Sequence, residues 1–138
     1  MATIYKEFTV DAPAEHVWAA IGDVGAIHSR LARDFVTDTR VEGDSRLVTF
    51  ANGAVVRERI VTIDEARRRL VYSVVEWMAT HHNGSFQVFA EGETRSRLVW
   101  IADLLPDDLA ASVDTMMEQG SAAIKRTLEL SAQGAVVR

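Results

Sequence analysis

Among the groups able to do chemistry in this chain, Glu58 has the most informative position. It stands in Ala54-Val55-Val56-Arg57-Glu58-Arg59-Ile60, where strand alternation puts it on the same face as Val56 and Ile60. A carboxylate on an apolar row is strongly destabilising unless it is paired or hydrogen-bonded. Two environments meet that demand. One is a polar patch in an internal cavity; the other is a rim position paired with Arg57, Arg59 or an arginine of a neighbouring strand.

His81 and His82 precede Asn83-Gly84, and His28 lies well upstream. An imidazole titrates near neutral pH and can move protons or bind a metal. Neighbouring strand residues point to opposite faces, however, and neither a His pair at i, i+4 nor a carboxylate at metal-site spacing accompanies them. The sequence therefore predicts no metal and no cofactor. One histidine of the pair is expected at a pocket mouth, and His81 is placed there. The chain has no cysteine, which excludes disulfides, thiolate metal sites and a cysteine nucleophile. The G-x-S-x-G elbow and phosphate-cradling glycine loops are absent as well.

The remaining candidates are apolar walls. Arg95 and Arg97 take the odd positions of their strand, so Leu98, Trp100, Ala102 and Leu104 are expected to face inward. Phe86 and Val88 on the preceding strand, with Tyr72 and Val74, extend that wall. Tyr72 and Trp100 also bring polar tips that need partners once buried. On the last helix Met116 and Met117 are either adaptable ligand contacts or plain core. Gly120 and Ala123, both small, are expected to leave room on the same stripe.

These residues must be positioned by a particular order of elements. Thr3 to Val10 reads as a half-buried strand. Asp11-Ala12-Pro13 opens a short helix, with Asp11 as its cap, through Val17, Trp18 and Ile21; a second short helical piece covers Ala26 to Leu31. Period-two segments follow at residues 35–42, 46–51, 54–63, 70–77, 85–91 and 97–104. Asn52-Gly53 is expected to form a type I′ hairpin turn, and His82-Asn83-Gly84 another turn. Leu109, Val113, Met116, Met117, Gly120, Ile124, Thr127 and Leu128 then recur at spacings of three and four, an apolar stripe on a long helix. Short connections make the strands an antiparallel meander, and its concave face is the surface on which that helix can lie. The predicted class is α+β: a seven-stranded curved sheet wrapped around a long C-terminal helix, with two short helices after strand one.

Composition narrows the function. The 138 residues suit one domain, residues 1–138, and a hydrophobic fraction of 48% with 25% charged residues suits a folded globular chain. A net charge of −5 repels phosphate backbones, so nucleic acid is not an expected partner. No stretch approaches a membrane span, and the first residues lack the pattern of a signal peptide. With no cysteine, this favours the cytoplasm. The run Arg67-Arg68-Arg69 follows Asp64-Glu65 without interleaved aromatics and reads as a solvated hairpin tip.

Three segments of this chain resemble the helix-grip superfamily often called SRPBCC, which includes START domains, birch-pollen-allergen-like proteins, bacterial polyketide cyclase/dehydrase-like proteins and plant abscisic acid receptors. They are Val56-Arg57-Glu58-Arg59-Ile60 with Asp64 and Leu70-Val71-Tyr72-Ser73-Val74; Leu98 to Pro106; and Gly120 with Lys125. The resemblance covers nearly the whole chain. It implies a cavity between sheet and last helix that takes lipids, hormones, polyketides or other apolar molecules. The Glu-Arg-Ile segment is similar to the Glu-Arg-Leu segment of the hormone receptors, which matches Glu58 to their cavity carboxylate and Tyr72 and Val74 to two of their apolar cavity positions. Their His-Arg-Leu latch is replaced here by Ala79-Thr80-His81-His82. Trp100-Ile101-Ala102-Asp103-Leu104 is similar to the Trp-x-x-Asp-Phe strand of bacterial aromatase/cyclases, where the tryptophan is a pocket wall.

The expected function is binding of a small hydrophobic molecule, as carrier or sensor, by a monomer or homodimer. Glu58, Tyr72, Val74, Phe86, Val88, Trp100, Met116, Met117, Gly120 and His81 are the expected ligand contacts. The alternative is a polyketide cyclase/dehydratase-type enzyme using the same cavity.

Overall fold

The computed structural model describes residues 2–134. In chain order the elements are β1 (Ala2–Val10), α1 (Ala14–Gly22), a π-helical turn (Ile27–Leu31), β2 (Val36–Glu42), β3 (Ser45–Phe50), β4 (Val55–Asp64), β5 (Arg69–Val75), β6 (His81–Ala90), β7 (Ser96–Leu105), a 3-10 turn (Asp107–Leu109) and α2 (Ala110–Ala132). The strands form one seven-stranded sheet in the order β1-β7-β6-β5-β4-β3-β2. Every neighbouring pair is antiparallel. No described helix is long and apolar enough to cross a membrane.

Alternation decides which side chains go inside. On β7 the row Leu98, Trp100, Ala102 and Leu104 is buried, as expected from the arginines at the odd positions. Phe86 and Val88 of β6 and Tyr72 of β5 join it. The α2 residues Val113, Met117, Ile124 and Leu128 cover this face, so sheet and helix share one core. Irregularities at Val61 in β4 and Thr37 in β2 break the strict register and let the sheet bend.

Side-chain ties fix the helices to this frame. Lys6 of β1 reaches Asp114 at 2.5 Å and Glu118 at 2.7 Å on α2. Farther along α2, Lys125 Nζ donates to the Thr9 carbonyl at 2.6 Å. Trp18 of α1 donates from Nε1 to Glu65 at 2.6 Å, so the β4–β5 turn holds α1 in place. The arginine run lies in and just beyond that same turn: Arg67 pairs with Asp64 and Arg68 with Glu15.

The local expectations fail at three places. Asp11 does not cap α1: Pro13 is the N-cap residue, while the Asp11 N–H donates to Glu129 and its carboxylate accepts from Arg95. Long-range tethers outcompete the local cap there. Among Asn52 and Gly53 only the glycine takes positive φ, at 91°, which excludes a type I′ turn. Instead the Phe50 N–H donates to the Ala54 carbonyl across residues 51–53. Finally, His82-Asn83-Gly84 is strand, paired with Leu104, Asp103 and Ala102. The chain reverses earlier, between Val75 and His81.

Candidate functional site

Between the inner face of the sheet and α2 lies a cavity of about 570 Å³. That volume falls inside the range of small-molecule sites, about 300–1,000 Å³. Its wall is mainly apolar and aromatic: Phe35, Val48, Phe50, Val56, Val74, Phe86 and Trp100 from the sheet side, Val113, Met116 and Ile124 from α2. At the mouth stand Trp77 and Met78 of the β5–β6 connection, the β3–β4 hairpin, and Ser112, Thr115 and Gln119 of α2. Met78 is 69% exposed.

Seven of the ten residues selected from sequence line this space: Glu58, Tyr72, Val74, Phe86, Trp100, Met116 and Gly120. Three do not. Val88 is buried, but it packs opposite Leu98, away from the cavity. Met117 is buried as well; one position on from Met116, it is turned about 100° around α2 and fills solid core. His81 is exposed, and His82 takes the wall position instead. Parity accounts for this: β6 begins at His81, so the inward row runs His82, Gly84, Phe86, Val88. The role expected of Gly120 also changes. A Cβ there would lie 3.0 Å from Trp100 and 3.1 Å from Phe35, so these rings take up the volume the glycine vacates.

One charged pair sits inside the wall. Arg46 and Glu58 face each other across β3 and β4, and the Arg46 Nε donates to Glu58 Oε1 at 2.9 Å. Their side chains are only 3% and 10% exposed. Arg46 also donates to the Val24 carbonyl at 3.3 Å and lies over the Tyr72 ring, 5.8 Å from its centre. Glu58 combines the two expected environments: it lines the cavity wall, and it pairs with an arginine of the neighbouring strand. Arg46 was missed from sequence, although alternation with Val48 and Phe50 already places it inward.

A second polar relay lies beside that pair. Trp100 donates from Nε1 to the Tyr72 hydroxyl at 3.0 Å, and Phe86 stacks on Trp100 with ring centres 4.7 Å apart. Burial, helped by the nearby Glu58 charge, pushes the Tyr72 phenol well above its ordinary range, so it keeps its proton. His82 is 4% exposed, its Nδ1 has no hydrogen-bond partner among the described residues, and its ring lies 5.6 Å from Trp77. Burial, followed by the neighbouring His81, lowers its pKa, leaving the imidazole neutral at pH 7. His28, the other histidine singled out from sequence, instead contacts Thr39 Oγ1 at 3.1 Å.

Residues 1–129 match the family described as polyketide cyclase / dehydrase and lipid transport. The chain belongs to this family. Solved structures agree on the helix-grip fold of this polyketide cyclase/dehydrase-like protein. A START superfamily protein from Mycobacterium smegmatis superposes with a TM-score of 0.72 at 13% identity, covering 97% of this chain and 99% of its own. Norcoclaurine synthase from Thalictrum flavum gives 0.72 at 18% identity, over 94% and 92%. The di-domain ARO/CYC BexL from the BE-7585A biosynthetic pathway gives 0.79 at 17% identity, covering 94% of this chain and 47% of BexL. At these identities the likeness is one of fold. No curated protein matches the sequence.

Proposed function

We propose that this family member binds one small hydrophobic molecule, as carrier or sensor, acting as a single ligand-binding domain. The observation that supports this reading is the cavity of about 570 Å³, whose wall is apolar apart from a few buried polar groups. Glu58, Tyr72, Val74, Phe86, Trp100, Met116 and Gly120 are the proposed contacts. The net charge of −5 argues against nucleic acid as a partner, and the lack of cysteine suits a reducing compartment such as the cytoplasm; a monomer or homodimer is the proposed assembly. Titration with the neutral probe N-phenyl-1-naphthylamine tests it: saturable one-to-one binding, read from probe emission, is expected. A flat titration at micromolar protein overturns the proposal.

A second reading is supported by the family description and by the neutral His82 on the same wall as the Tyr72 hydroxyl. A cavity holding an acid and a base can fold a reactive chain and move its protons, as a cyclase or dehydratase must. Incubation with a poly-β-keto substrate is expected to alter the product pattern, and His82→Gln to abolish the change. An unaltered pattern removes this reading.

A further inference from the structure

The polar groups of the cavity wall are unequally satisfied. Arg46 and Glu58 neutralise one another at 2.9 Å, and among the described residues Arg46 is the only lysine or arginine lining the cavity. An ionised ligand group drawn inside would therefore find no free counter-charge, and hydrogen bonds alone would have to offset its lost hydration. Tyr72 and His82 are different. The Tyr72 oxygen accepts from Trp100 at 3.0 Å, and among the described residues nothing accepts its proton. The buried Nδ1 of His82 lacks any partner among those residues.

Strand register brings these two groups together. Tyr72 lies opposite Gly84, and His82 is two residues from Gly84 on the same face. They are diagonal neighbours, with backbones separated by about 7–8 Å, and both residues line the cavity. A ligand hydroxyl suits both. It accepts the Tyr72 proton and donates to the lone pair of a neutral imidazole; in the other tautomer it accepts from both. A carbonyl matches only the second case.

We infer that Tyr72 and His82 form a hydroxyl-recognising subsite, through which the cavity selects uncharged, hydroxylated apolar molecules over carboxylic acids of the same shape. This rests on the cavity being a binding site and specifies what it takes.

Calorimetry with naphthalene, 2-naphthol and 2-naphthoate at pH 7.5 tests it. In the wild-type protein 2-naphthol is expected to bind about tenfold more tightly than naphthalene, equivalent to about 1.4 kcal/mol, and 2-naphthoate more weakly than either. Tyr72→Phe and His82→Leu, each checked for folding by circular dichroism, are expected to shrink the naphthol-to-naphthalene ratio to threefold or less. Naphthalene binding with no preference for the naphthol, or with a preference for the naphthoate, overturns the subsite while leaving the binding cavity standing. Failure of all three compounds to bind overturns both. The wild-type ranking decides the matter even where a variant does not fold.

Discussion

The Tyr72 ring covers Gly84, its cross-strand partner, so closely that a Cβ on Gly84 would lie within 3 Å of the Tyr72 Cζ, Cε1 and hydroxyl oxygen. An aromatic side chain lies across a bare stretch of backbone, and its hydroxyl is thereby held for the Trp100 indole. Gly84→Ala is expected to evict the ring, break that hydrogen bond and cost about 1–3 kcal/mol. Urea unfolding measures the loss; a change under about 0.5 kcal/mol, the scale of an ordinary surface substitution, contradicts the arrangement.

The Arg46–Glu58 pair sets up a double-mutant cycle. Arg46→Met and Glu58→Met each leave a buried charge alone, with an expected cost of about 3–5 kcal/mol apiece. The double variant restores neutrality and is expected to be more stable than either single one. Additive losses in chemical denaturation would rule out the coupling.

His82 makes stability depend on pH in a definite direction. Burial lowers its folded-state pKa below the unfolded value, which for histidine is about 6.5. The unfolded chain then binds the proton first. Its contribution is fully present above pH 6.5 and is lost as the pH falls through the lower, folded-state value. Between pH 7.5 and 5, wild-type unfolding free energy is expected to drop more than that of His82→Leu. Parallel profiles for the two proteins would refute this assignment.

Met116 is half-buried and lines the cavity, whereas Met117 fills solid core. Met116→Trp is expected to occupy the cavity and weaken N-phenyl-1-naphthylamine binding at least tenfold, with stability changed by less than about 1 kcal/mol. Met117→Ala is expected to do the converse, costing about 2–5 kcal/mol in stability. Equal effects of the two substitutions on probe binding would contradict their different placement.

Much of the fold was legible because period-two and helical patterns report burial directly. The inward set on β7 follows from two arginines at odd positions, and the stripe from Val113 to Leu128 identifies the face of α2 that meets the sheet. The site was less legible, for identifiable reasons. Asn83-Gly84 carries turn chemistry, but the glycine serves the Tyr72 ring rather than a reversal, and reading it as a turn hid the parity that puts His82 inside. Arg46 obeys its strand's alternation, yet an arginine on an inward row runs against composition rules until its partner Glu58 is seen beside it. Gly120 misled in the opposite sense, since nothing in its spacing reveals that Trp100 and Phe35 fill the gap.

The Lys6 bonds to Asp114 and Glu118 join residues more than a hundred positions apart, and β1 pairs with β7 along its length. Such distant closures make folding slow relative to chains held by local contacts. On the ribosome the order of events is imposed by topology. The first strand must wait for the seventh, and the aromatic row of Tyr72, Phe86 and Trp100 stays uncovered until the terminal helix has emerged. Nascent chains paused before Ala110 therefore display a greasy open sheet, the species that a chaperone would have to shield.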